Sequence, residues 1–523
     1  MTFDRIGSGK FRRFGRGHQI DRYPEEVPVD YGDFSGGVDM SRAREHLDPN
    51  TSPRGSDFYI NDRSRLVRFP GTTQLEVLTP RLPIQMALHA SLDNRSELIL
   101  FDPPFIGVKG EGATVWTDIG LVGGRPFSWV NFGGTFIFNN RSGKIYVRQA
   151  GASTVEFTDL IPSATAYASF AGRVFAGGAT IEGTHEPIGM RWSAANSNYL
   201  DWESLGAGDE LLINDMAVGD RIVALRTMGL DFMAVLMRRS IWIARRTGLV
   251  ARPADFQPRV PGVGAVNIAT TKSTPYGVVF LSDSGVYLFD GNNAHLLSDQ
   301  INADLLPLID AGAAYTALYN PKDQHYTLFT PNGSFTYDML KKRWLPLSIV
   351  PLAAVLFAEQ FEATKWSEVV GTWGDLTETW AEFSPQEADE LRVIYLGDEG
   401  ADRVLAESDE ASEMYFGGAV VPEWEFARSH HQFRNRLVSP VLLNLEYVGS
   451  GTIEVWLPNN QGVMELFRSV ILPAVVEPTI RAIPIIHTGR GVGLELRNPA
   501  GRVEIVGAQL VVKRRGPRIE ALP

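Results

Sequence analysis

The sequence predicts an all-β fold: a β-propeller of six or seven blades followed by a C-terminal antiparallel β-sandwich. Three observations carry that expectation. The chain of 523 residues holds 51 Gly and 31 Pro, a density of breakers that argues against long helices and for short strands joined by turns. From about residue 78, a short β-rich run, a polar turn and a second short run recur. After about residue 420 the strands continue without that recurrence.

Residues 1–32 lack periodicity and carry Arg5, Lys10, Arg12, Arg13, Arg16 and Arg22 among glycines. Two readings stand side by side. The segment is a solvated, flexible tail, or it is a basic arm that orders on the acidic surface of a neighbouring subunit, with Arg12, Arg13 and Arg16 as its contacts.

The propeller is expected over residues 33–410. Its hairpins pair Ile84–Ala90 with Glu97–Phe101, Trp129–Phe138 with Lys144–Arg148, and Phe232–Met237 with Ser240–Ala244. Gly277–Ser282 pairs with Val286–Asp290, and Gln324–Thr330 with Ser334–Tyr337. Each places apolar and aromatic runs around a short polar or glycine-containing turn. The anchors Phe136, Phe175, Met233, Phe280 and Tyr326 are spaced by 39, 58, 47 and 46 residues, which brackets the ~40–50 residues of a four-stranded blade. Such repeats cannot bury their faces alone and stack radially. Leu391–Leu396 with Arg403–Leu405 reads as one more blade closing the ring. The uneven steps leave one or two β-sandwiches as the competing architecture.

The pattern breaks over about 351–390, where Trp366, Trp373 and Trp380 recur every seventh residue. Step seven would stripe one side of a helix, but the Gly and β-branched residues between them disfavour one. The three tryptophans therefore either anchor three turns or form an aromatic docking surface, Trp being a favoured interface anchor. Residues 411–523 form the expected sandwich, with strands at Val438–Val448, Gly451–Leu457, Met464–Leu472, Ile480–Ile486, Gly491–Arg497 and Val503–Val512.

Composition narrows function. Formal net charge is −12, so the whole molecule should repel nucleic acid and anionic membranes. The chain has no Cys, which excludes a disulfide framework, a thiol nucleophile and Cys-ligated zinc or iron–sulfur sites. No apolar run reaches the ~18–20 residues that span a bilayer, and the basic start lacks the apolar core of a secretory signal.

Catalytic motifs fail one by one. Gly7-Ser8-Gly9-Lys10 lacks the spacing and preceding strand of a phosphate-binding loop. No His-Glu-x-x-His or Gly-x-Ser-x-Gly occurs. His430-His431 point apart on a strand and suit joint metal ligation poorly. Ser282-Asp283-Ser284-Gly285 has the wrong spacing for the Asp box of propeller sialidases. The acidic pairs Glu25-Glu26, Glu359/Glu362 and Asp389-Glu390 are of the kind that could hydrolyse a glycosidic bond, but chance supplies such pairs in an acidic chain. No enzymatic activity, metal or cofactor is expected.

Several segments, taken in order, resemble one family. Asp33-Phe34-Ser35-Gly36-Gly37-Val38-Asp39 followed by Arg68-Phe69-Pro70-Gly71-Thr72 resembles the opening of phage tail nozzle or hub proteins. Gly172-Arg173-Val174-Phe175-Ala176-Gly177, Arg191-Trp192-Ser193 and Asp201-Trp202 are similar to one of their blades. So are the run Val279–Gly291, Tyr337-Asp338 before Lys342-Arg343-Trp344, and the repeat Gly371–Trp380. The resemblance spans roughly residues 30 to 515 and rests on the order of the motifs. The basic N-terminal arm has no counterpart in it.

The resemblance implies a virion tail protein assembled in the host cytoplasm, built on a propeller and forming a homo-oligomeric ring, expected to be a hexamer. Such a ring sits below the portal and adaptor, encloses the DNA exit channel and offers attachment sites to tail fibres or spikes. Double-stranded DNA would pass an acidic lumen without specific binding. A propeller-fold carbohydrate hydrolase and a propeller protein-binding module are the alternatives.

Overall fold

The computed structural model describes residues 26–515, apart from 360–389, 427–436 and stretches of one to five residues between strands. Nearly every described element is a strand. The one described α-helical turn, Asn302–Leu305, lies between two 3-10 turns.

Seven four-stranded antiparallel sheets follow one another as blades. Blade 1 runs from Gln85 to Leu121, blade 2 from Pro126 to Thr158, blade 3 from Ala166 to Leu211 and blade 4 from Ile222 to Pro261. Blade 5 runs from Lys272 to Leu296 and blade 6 from Thr316 to Leu347. Blade 7 takes Ala353–Glu359, Glu390–Glu399 and Asp402–Asp409, and its fourth strand is Gly71–Val77, from before blade 1. The first strand of each blade lies beside that of the next, and the first strand of blade 7 lies beside that of blade 1, so the ring is closed.

The reason these segments form blades is visible in their burial. A blade lies between two others, so its second strand packs on both faces and reads as a continuous apolar run. Gly277–Ser282 and Arg173–Gly177 are buried at every position. All five anchor residues fall on second strands. Seven apolar clusters fill the seven seams between blades. The last joins Met86, Leu98 and Leu100 of blade 1 to Ile394, Leu396 and Leu405 of blade 7.

The second body is one continuous nine-stranded sheet. It contains β1 (Glu26–Tyr31) and, after the propeller's own Gly71–Val77 (β2), the long strands β3 (Leu437–Pro458), β4 (Met464–Pro484) and β5 (Glu495–Arg515). β3 pairs with both β4 and β5, and β1 pairs with β5 from Glu26 opposite Lys513 to Tyr31 opposite Ala508. Leu443, Leu445 and Tyr447, then Ile453, Val455 and Leu457, keep one face of β3 buried. They pack with Val29, Tyr31, Phe34, Phe58 and Leu66 from the N-terminal segment.

Four expectations are corrected. The basic arm does not extend to residue 32, because Glu26–Tyr31 is already a strand on β5. The propeller does not begin at residue 33: Arg54–Ser56, Phe58–Ile60 and Leu66–Arg68 belong to the nine-stranded sheet, so the propeller is inserted between the two halves of that domain. Trp129–Phe138 is two strands with Gly133-Gly134 turning between them. The six expected C-terminal strands join end to end in pairs as β3, β4 and β5, hydrogen-bonded in one sheet. A bulge joins the two halves of β3: pairing shifts register on both sides of Gly449, whose φ of 95° favours glycine.

Buried polar groups join the two bodies. Arg343 on blade 6 is 2% exposed in its side chain, lies 3.4 Å from Asp338 and donates to the Ile60 carbonyl at 2.9 Å. A Cβ at Gly37 would sit 2.8 Å from the Arg343 Cβ, which accounts for glycine in that motif. Asp57 accepts from the Ser348 amide at 2.8 Å, and burial raises its carboxyl above the usual range against the pull of that bond.

Candidate functional site

β4 ends the strand order of its sheet and, among the described residues, is paired on one side only. Leu472 and Ile483 are its only fully buried residues. Ile471 is 78% exposed and Val476 94%, with Ile486 just beyond the strand at 95%. Leu466 and Ile480 are also exposed, as is Val463 in the turn before it. An unpaired edge of this length is a template for another chain. Pro473, Pro478 and Pro484 remove amide donors along it, so long sheet extension is disfavoured while the apolar side chains stay open for packing.

A second apolar patch lies on the propeller. Arg173 is buried in blade 3 and donates to the carbonyls of Gly206 and Val250, which ties the loop carrying Leu205 to the loop carrying Leu249 and Val250. Asp231 accepts from the Arg246 amide, placing the turn with Leu230 at the same end of blade 4. Leu205 is 82% exposed, Leu230 83% and Leu249 64%. Scattered surface leucines are ordinary, but grouped ones mark interaction sites.

The strongest buried ionic cluster is structural. At the seam of blades 1 and 2, Arg148 grips Glu97 with both terminal nitrogens, and fully buried His89 lies 3.3 Å from the same carboxylate. His89 Nε2 also contacts the Gly134 carbonyl at 3.0 Å. Burial would raise the Glu97 carboxyl, but hydrogen bonds from His89 and Arg148 outweigh it and hold it at about 2. Each group faces a partner, and the cluster pins two blades together. Among the described residues no three His, Asp or Glu side chains gather as a metal site. No described helix is long and apolar enough to cross a membrane.

The expected contact residues Arg12, Arg13 and Arg16 lie outside the described residues, as do Trp366, Trp373 and Trp380 and the pair His430-His431. The ends of the tryptophan segment are nevertheless located: Glu359 and Glu390 are register partners in blade 7, so residues 360–389 leave and re-enter at one end of that blade. Each of the three acidic pairs has one member outside the described residues. Sequence reasoning missed both apolar patches. Val470-Ile471-Leu472 reads as strand, Val475-Val476 falls outside the expected strands, and nothing local distinguishes an interior strand from an edge.

No protein-family model matches the chain, and no curated protein matches it. Among solved structures, the chain is similar to YCF48 bound to D1 peptide at 11% identity and a TM-score of 0.36, over 65% of this chain and 97% of that one. It is also similar to BamB from Moraxella catarrhalis at 8% identity and a TM-score of 0.35, over 65% of this chain and 98% of that one.

Proposed function

We propose that the protein is an architectural subunit that assembles head to tail into a ring, as the nozzle or hub of a bacteriophage tail. The observation that carries the reading is the pair of separate apolar patches, one on β4 and one across blades 3 and 4. A two-fold contact needs one self-complementary patch, whereas two different patches on one chain suit a heterologous contact, which closes into a ring or runs on as a filament. A closed propeller is a rigid carrier for such patches. The tail assignment itself rests on the motif order along residues 30 to 515. On this reading the ring extends the DNA exit channel below the portal and adaptor, and the blade 7 insertion with its three tryptophans is an attachment site for fibres or spikes.

Two variants test the contact. Ile471→Asp/Val476→Asp spoils the β4 patch and Leu205→Asp/Leu249→Asp spoils the propeller patch. The native protein should form discrete rings with a central hole in electron micrographs, and each variant alone should sediment as a monomer. Mixed, they should form dimers only, since one good patch of each kind remains. Dimers formed by the propeller variant alone would show a two-fold β4 contact and overturn the head-to-tail arrangement. A native protein that stays monomeric at high concentration, or that releases reducing ends from host polysaccharide, would sink the architectural reading.

A further inference from the structure

The first strands of six blades, with Thr165 and His185 of blade 3, line a cavity of about 910 Å³, within the ~300–1,000 Å³ usual for small-molecule sites. Its lining includes Arg221, Arg226, Lys272 and His185, and among the described residues it contains no Asp or Glu. That is unexpected in a chain with 61 acidic and 49 basic residues.

Arg226 and Lys272 stand on adjacent blades, 4 and 5. Arg226 is fixed by neutral acceptors: it donates to the carbonyls of Thr271 at 2.9 Å, Leu225 at 3.0 Å and Ile268 at 3.0 Å. Those bonds orient the guanidinium and leave its charge uncompensated. Lys272 pairs through its backbone with Val279, but its side chain makes no hydrogen bond or ion pair with any described residue, and the residue is half-buried. Burial, and then repulsion from Arg226, pushes its ammonium down to about 7. Buried cations are ordinarily paired, and two adjacent ones without a carboxylate leave a positive field in a low-dielectric channel.

We infer that the propeller channel binds a small multivalent oxyanion, held between Lys272 and Arg226. Such a ligand turns one repulsion into two charge-assisted contacts. Arg226 is the preset half of the site and Lys272 the half that swings onto the ligand. Trp129 and Tyr315 line other parts of the cavity and offer apolar surface to the body of a larger anion. The inference is independent of how copies of the chain associate.

Calorimetry and thermal melts of the full chain with sodium pyrophosphate and with trisodium citrate, at matched ionic strength against sodium chloride, test it. At least one of the two should raise the melting temperature by several degrees. Lys272→Met should weaken binding tenfold or more without lowering the melting temperature of the free protein, and Lys272→Arg should keep affinity within about threefold. Preference for pyrophosphate assigns phosphate chemistry to the ligand; preference for citrate assigns a polycarboxylate. Should Lys272→Met not fold, acetylation of the native protein decides: Lys272 should react readily and be protected by the tighter anion. Binding by neither anion, undiminished binding by Lys272→Met, or no protection of Lys272 would overturn the inference.

Discussion

The propeller and the nine-stranded sheet treat their apolar residues differently. In the propeller every blade has a neighbour on each side, so Val279, Leu281 and Phe280 all find cover although they point to opposite faces. In the sheet, β3 and β5 bury one face over the N-terminal strands, while β4 has no neighbour beyond β3 and leaves Ile471 and Val476 in solvent. Closure removes edges, whereas an open sheet must expose one. Stability therefore concentrates in the seams of the ring, while the open edge and the loops carry the exposed apolar side chains on which the proposed association rests.

Substitutions that attack a seam should break this contrast most strongly. Trp344 is fully buried between blades 5 and 6, donates to the Leu297 carbonyl at 2.7 Å and packs on Tyr337. Trp344→Ala should cost about 3–5 kcal/mol in denaturant unfolding, and a loss below about 1 kcal/mol would mean the seam is not where stability lies. Glu97→Ala leaves Arg148 buried without its carboxylate and should cost about 3 kcal/mol. The same carboxylate gives the seam a pH signature. Its folded-state value of about 2 lies below the ordinary 4.5, so its contribution is complete above the unfolded value and is lost as pH falls from about 4.5 towards 2. Acid titration of the unfolding free energy should show that loss in the native protein and a shallower one in Glu97→Ala.

Weaker effects sharpen the contrast from the other side. Asp57→Ala removes the buried carboxyl that accepts from the Ser348 amide at the junction of the two bodies, for about 1–3 kcal/mol. Val476→Asp on the exposed edge should change unfolding by no more than about 0.5 kcal/mol while abolishing assembly. A large loss of monomer stability from Val476→Asp would place that residue in a core and remove the edge from consideration.

Much of the propeller was legible in the sequence. The middle strands of a blade are buried on both faces, so their apolar runs stand out without reference to the rest of the chain, and the anchor spacing followed from them. The 58-residue step from Phe175 to Met233 reflects a small ribbon, Thr180–Ile181 with Thr184–His185, inserted in blade 3. Outer strands such as Gly208–Leu211 alternate between half-buried and exposed and carry little apolar signal.

The amino-acid order alone determined that short antiparallel sheets would repeat at blade length, because burial on two faces and breakers at turns are local properties. Only the tertiary structure decided the count of seven, since the closing strand Gly71–Val77 is more than 300 residues from its partner Asp402–Asp409. It also decided that Glu26–Tyr31 and Glu495–Arg515 share one sheet, that β4 is an edge, and that Arg226 and Lys272 meet in a channel whose described lining holds no carboxylate. Each of these depends on which distant segment arrives alongside, and pairing between distant segments is settled by packing and ring closure, to which local propensity is blind.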